Sequence, residues 1–282
     1  MTMMTEFYKR KDTPHMTEER LIWEDHFDTA SLDSTKWNYR YGNWSADEKG
    51  RPVAAGWGNN ELQYYTDSPK NLWLQESCLH IAARQELSPP QLQKRCAYTS
   101  ARIDTRGRFS FCYGRVEIRA RCPAGTGLWP AVWMMPEDSA YGPWAASGEI
   151  DILEVKGRLP DRVFSTIHYG GVSPDKTHQE YCFRLPEGDT VCRFHIYELI
   201  WREGVLSWKM DGQEYASASC WESFTDGISY PQPFDRPFYL LINLAIGGWF
   251  DTEASGYVEE QALPGEFVLD YIRVYQEADT PR

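Results

Sequence analysis

From Leu21 onward the chain is a succession of short runs rich in β-branched and aromatic residues, interrupted by Gly, Pro, Asn and Asp. In Arg115-Val116-Glu117-Ile118-Arg119-Ala120 and in Val205-Leu206-Ser207-Trp208-Lys209-Met210, apolar and polar residues alternate. That period of two predicts half-buried strands. Leu79–Ala83 and Val163–His168 predict two more. Asp211-Gly212, directly after one such run, predicts a tight hairpin. No long stretch carries helical periodicity, and no segment repeats at a fixed interval. Alternating strand and helix units, the mark of a parallel sheet, are missing too. The expectation is one all-β domain over residues 21–277, built as an antiparallel sandwich. The polar residues 1–20 are expected to be a flexible N-terminal segment, and 278–282 a C-terminal tail.

Composition narrows the functions open to such a domain. A chain of 282 residues buries enough surface to need no disulfide or metal staple. Its net charge of −12 argues against a phosphate backbone or an anionic membrane as partner. No run approaches the roughly 18–20 apolar residues of a membrane span. Aromatic residues make up 15% of the chain, 12 of them Trp. That excess fits either an aromatic β core or flat surfaces on which neutral sugars stack. The seven cysteines show no metal-ligand spacing. They are expected to be mostly buried, reduced thiols, with a Cys182–Cys192 bridge as the alternative. No apolar stretch follows the charges of the N-terminus, so it does not read as a secretory signal. A cytoplasmic protein is expected, or a secreted one whose leader has been removed.

The most informative segment is Ser147-Gly148-Glu149-Ile150-Asp151-Ile152-Leu153-Glu154-Val155. Alternation puts Glu149 and Asp151 on one face of a strand and Ile150 and Ile152 on the other, toward a core. Strict alternation would then bury Glu154 unpaired among apolar groups, at a high cost. One extra residue, a β-bulge at Ile152–Leu153, returns Glu154 to the face of the other acids. Three carboxyls held so close repel, and at least one should keep its proton near neutral pH. One ionised carboxylate beside one protonated acid is what glycosidic cleavage needs. A solvated acidic edge or a calcium site is the alternative, though calcium usually draws its ligands from loops.

Gly148-Glu149-Ile150-Asp151-Ile152-Leu153-Glu154 resembles the E-[IL]-D-x-x-E signature of glycoside hydrolase family 16, in the form with the extra bulge residue. Other segments resemble the family's laminarinase-like (endo-β-1,3-glucanase) branch, in the expected order. Before the acids come Leu21–Asp28, Gly56–Thr66, Tyr98–Arg102 and Gly127–Pro136. After them come His168–Gly171, Asn243–Gly248 and Val268–Tyr275. The resemblance runs from about Leu21 to Gln276. It implies a concanavalin-like β-jelly-roll sandwich of two curved antiparallel sheets with an open concave cleft.

The resemblance also implies roles. Glu149 would be the nucleophile, Asp151 its hydrogen-bonding neighbour, and Glu154 the general acid/base of a retaining mechanism, whose two working carboxyls sit about 5–5.5 Å apart. Trp129 and Trp133, four apart on one strand face, would be stacking walls, with core tryptophans the alternative, and Trp144 a further platform or a loop anchor. Arg102, Asn59 and Asn60 resemble positions that hydrogen-bond sugar hydroxyls, with turn chemistry the alternative for either Asn. His168 would meet the leaving-group side, or serve only structurally. After Gly247-Gly248 the sequence continues Trp249-Phe250-Asp251-Thr252, where relatives commonly carry Asn and Pro-Gly. Asp270 and the backbone near Glu24 resemble a structural calcium site on the convex side, a hydrogen-bonded Asp270 being the alternative. No cofactor is expected for catalysis. The expected activity is hydrolysis of β-1,3 bonds in laminarin-type or mixed-linkage glucans, by a monomer whose partner is a β-glucan polysaccharide or oligosaccharide. A galactan hydrolase or transglycosylase of the same fold is the nearest rival, and a sugar-binding lectin the rival from another class.

Overall fold

A computed structural model of the chain describes residues 18–46, 51–89, 95–252 and 256–278. The first strand, Glu19–Asp25, begins inside the stretch expected to be flexible, because Glu19 and Arg20 pair with Glu277 and Gln276 of the last strand. The rest of that N-terminal segment, residues 1–17, and residues 279–282 of the tail lie outside the described residues.

Two large sheets form the sandwich, one of ten strands and one of seven. All their pairings are antiparallel except one, between Gln63–Tyr65 and Tyr98–Ser100. The alternation predicted for Arg115–Ala120 holds: Val116, Ile118 and Ala120 are buried while Glu117 and Arg119 are not. The predicted hairpin joins Val205–Met210 to Gln213–Ala218, with Asp211 and Gly212 both at positive φ (48° and 78°). Positive φ at both central residues twists a two-residue turn the way its strands need.

The seven-stranded sheet carries the cleft. Its strands lie in the order Thr177–Arg184, Arg162–Tyr169, Glu149–Glu154, Leu128–Pro136, Phe238–Ile246, Arg102–Asp104 and Asn38–Arg40. One face packs on the other sheet through Val132, Met134, Ile150, Ile152, Leu153, Leu240, Ile242 and Leu244. Phe238–Ile246 is buried along its whole length, as a central strand covered on both faces should be. Its even-numbered residues belong to the core, and Asn243, between Ile242 and Leu244, lines the cleft on the other face.

None of the seven cysteines is in a disulfide, so the Cys182–Cys192 bridge is not formed. The expectation that most are buried also fails: only Cys122 is buried, while Cys182, Cys192 and Cys220 are exposed. Cys182 is in the outermost strand of its sheet, where every second residue faces solvent.

Candidate active site

The expected bulge lies where the sequence put it. Asp151 pairs with Thr166 and Glu154 with Phe164, so three steps on the acidic strand match two on its neighbour. Ile152 and Leu153 are both in the core, at 1% and 0% exposure. Two consecutive apolar residues facing inward turn Glu154 back beside Asp151, and an unpaired buried glutamate is avoided. On the other side, Ala131 pairs with Glu154 and Trp133 with Asp151. The register then continues across the sheet: Ala131 opposes Asn243, and Asn243 opposes Arg102. Arg102, Asn243, Ala131 and Glu154 therefore stand abreast on four neighbouring strands. Ala131, small and between two tryptophans, leaves room on the sheet floor for a ligand.

These side chains enclose a cleft of about 320 Å³, open to solvent. Its lining is Asn59, Glu61, Arg102, Trp129, Ala131, Trp133, Glu149, Asp151, Glu154 and Asn243. All three carboxylates expected from the sequence meet there. Each glutamate accepts an indole N–H: Trp144 Nε1 donates to Glu149 Oε2 at 2.6 Å, and Trp129 Nε1 to Glu154 Oε1 at 3.0 Å. Asp151 lies beside Glu149 on the same strand face, and its interaction with Glu149 partly offsets the desolvation that raises its own pKa. Its Oδ2 is buried without a hydrogen bond, 3.4 Å from His168 Nε2. The same His168 nitrogen lies 3.8 Å from Glu149 Oε1. His168 thus faces two of the three acids, and burial lowers its pKa, which favours the neutral imidazole.

Burial, reinforced by mutual repulsion, raises the acids. Glu149 is pushed up to about 7, first by desolvation and then by the Asp151 charge, against the opposing pull of His168 and the Trp144 N–H. Glu154 is held well above the ordinary carboxylate range, by desolvation first and the Asp151 and Glu149 charges after it. Asp151 is raised by desolvation as well. The pair Glu149 and Glu154 can therefore exist with the first ionised and the second protonated, the division of roles that acid-plus-nucleophile chemistry requires.

Beyond the acids, Arg102 is sandwiched between two rings, its guanidinium 4.3 Å from the Trp57 centroid and 4.7 Å from that of Trp133. Its Nε is buried with no hydrogen-bond partner. Stacking fixes the guanidinium plane and leaves donors for a ligand. Trp133 donates Nε1–H to Asn243 Oδ1 at 2.8 Å, which fixes the ring as a wall of the cleft. Asn59 lines the cleft, but Asn60 does not: it is exposed, at φ 58°, a turn residue. The left-handed conformation that Asn tolerates explains that position better than sugar binding.

Glu61, Asn243 and Trp57 belong to the site but were not singled out from the sequence, although all three lie inside quoted motifs. Glu61 is buried, accepting hydrogen bonds from Asn59 Nδ2 (3.2 Å), Gln63 Nε2 (2.6 Å) and Tyr65 OH (3.1 Å). Its placement depends on the bridge to Gly247, far away in sequence.

At the expected calcium position, Glu24 and Asp270 are engaged by neighbouring side chains. Asp270 is paired with Arg119, and the Glu24 carboxylate accepts from His26 Nε2 at 2.9 Å. The Glu24 carbonyl accepts from Lys36 Nζ at 2.8 Å.

The profile of glycosyl hydrolases family 16 matches residues 49–271. The chain is 42% identical over 269 residues to glucan endo-1,3-beta-glucosidase A1 of Niallia circulans, covering 94% of this chain and 39% of that longer protein. It is 39% identical over 263 residues to the beta-glucanase of Rhodothermus marinus, covering 91% of this chain and 85% of that one. Among solved structures, the laminarinase catalytic domain of Thermotoga maritima superposes with a TM-score of 0.78 at 36% identity, covering 93% of this chain and all of that one.

Proposed function

Because the chain belongs to glycosyl hydrolases family 16, we propose that its cleft works as a retaining endo-β-glucanase on β-1,3 bonds of laminarin-type or mixed-linkage glucans. The observation that carries this reading is the bulged strand. It brings Glu149, Asp151 and Glu154 to one face, with Glu149 the easier to ionise and Glu154 the harder.

A glucan chain lies across the strands, its sugars stacked on Trp133 and Trp129 and its hydroxyls met by Arg102, Asn59 and Asn243. Glu154 gives its proton to the bridging oxygen as the glycosidic bond breaks. Glu149 attacks the anomeric carbon from the opposite face and forms a glycosyl-enzyme. Asp151 steadies the Glu149 charge before attack and again as the ester is released. Glu154, now a carboxylate, takes a proton from water, which displaces Glu149 and restores the original configuration. Trp129 Nε1 holds Glu154 Oε1, and the Thr166 hydroxyl lies 3.5 Å from Oε2, so both oxygens of the acid are held in place.

A cleft open to solvent favours cutting inside the polymer. Incubation with laminarin, lichenan and agarose, followed by product analysis, tests the reading. Internal cleavage of laminarin to a ladder of oligosaccharides is expected, with agarose untouched. Cleavage of agarose alone would favour a galactan hydrolase, and binding without cleavage would favour a lectin.

A further inference from the structure

Glu61 and Gly247 form an isolated antiparallel bridge, and two residues farther on the Trp249 N–H donates to the Asn59 carbonyl at 2.9 Å. Asn59 and Glu61 both line the cleft, so Trp249 stands at its rim. The approach depends on glycine. Gly248 has φ +82°, and a Cβ there would come within 3.0 Å of the Trp129 ring.

The turn beneath Trp249 is pinned from several sides. Phe250 stacks on Trp129 with centroids 5.0 Å apart and meets Phe164 edge-on. Lys156 Nζ lies 4.4 Å from the Phe250 centroid. Asp251 is buried and accepts from the Gly127 N–H, while its carbonyl accepts from Arg158 Nε at 2.7 Å. All of these contacts hold the residues around Trp249. Its own side chain is 53% exposed, and it is the one Trp among the exposed large hydrophobic residues described.

We propose that Trp249 is the platform of an outer subsite, stacking a glucosyl unit of the same glucan chain beyond the units over Trp133 and Trp129. This rests on the glucanase reading and extends it to chain length. The same glucan chain reaches Trp249 by continuity: Trp249 adjoins Asn59 through its backbone, and the next residue, Phe250, is stacked on Trp129, a wall of the cleft. A flat apolar ring on a fixed turn suits the C–H face of a neutral sugar, with little ordering left to be done on binding.

The test is kcat/KM on β-1,3-gluco-oligosaccharides from trimer to octamer, for the unmodified protein and for Trp249→Ala and Trp249→Phe. Trp249→Ala should lose about tenfold, equivalent to roughly 1.4 kcal/mol, through KM and only on the longer substrates. The shortest cleaved substrate should react as before, and Trp249→Phe should retain most of the preference for length. In a Glu149→Gln background, calorimetry should show octamer binding weakened by a similar factor when Trp249→Ala is added. Equal losses at every length, or none at any, would overturn the subsite while leaving the glucanase reading intact. Failure of the unmodified protein to cut any β-1,3-glucan would instead overturn the reading on which the subsite rests.

Discussion

The indole N–H of Trp129 is hydrogen-bonded to Glu154 Oε1, 3.0 Å away. A residue expected only to stack a sugar is therefore tied to the acid as well. The bond favours the ionised carboxylate and so opposes the burial that keeps Glu154 protonated. Trp129→Phe keeps a ring and removes the donor. The variant should raise the Glu154 pKa, moving the alkaline limb of the kcat/KM profile upward. An unmoved limb in a pH–rate series would show that the N–H does not act on the acid.

The acidic limb should belong to Glu149. Activity requires its carboxylate, and its pKa is about 7. On a substrate that reports the first chemical step, kcat/KM should fall tenfold per pH unit below that value. A limb near pH 4.5, the ordinary value for Glu, would mean the carboxyl is not held in the environment described.

The same raised pKa carries a stability penalty with a definite sign. Folded Glu149 binds its proton up to about pH 7, whereas the unfolded residue releases it near 4.5. Between these values the folded state holds more protons, so stability falls as pH rises and the whole penalty is present above 7. Glu149→Gln removes the charge while keeping an acceptor for Trp144. It should stabilise the protein by up to about 3 kcal/mol at pH 8, with the charge-related gain gone below pH 4.5. Denaturant unfolding at pH 4 and pH 8 measures this, and a gain no larger at pH 8 than at pH 4 would contradict it.

Trp133 forms the wall that Arg102 stacks against, and it is bonded to Asn243. Trp133→Ala should therefore cost about 1–3 kcal/mol of ligand binding, as other aromatic platforms do, and also loosen Arg102. Single Cys→Ser changes at the exposed Cys182, Cys192 or Cys220 should leave laminarin affinity unchanged. Comparable losses in the two sets would place Trp133 in the packing instead of the cleft wall.

The sequence made some of this site legible and left the rest dark for a physical reason. The bulge could be read because Glu154 would otherwise be stranded in the core, a local conflict visible within seven residues. The hairpin at Asp211-Gly212 was equally local. Glu61 and Asn243 could not be placed, because their position follows from which strands lie side by side. Nothing within Phe238–Ile246 tells that Asn243 will oppose both Ala131 and Arg102. Asn59 and Asn60 read alike in the sequence, and only the backbone separates them: Asn60 takes a positive φ of 58°, while Asn59 lines the cleft. The partner of Asp270, Arg119, was likewise out of reach, because it comes from a strand some 150 residues earlier.

The division of labour between Glu149 and Glu154 is tested most directly by azide rescue of their alanine variants. In Glu149→Ala the space for the nucleophile opens on the α-face while the acid remains. Azide should attack an activated β-glucoside there and give the α-azide. In Glu154→Ala an activated substrate still forms the glycosyl-enzyme on Glu149, and azide should displace it from the other face to give the β-azide. Proton NMR of the anomeric centre distinguishes the two products. The assignment of roles predicts α from the first variant and β from the second, and the reverse pairing would contradict it.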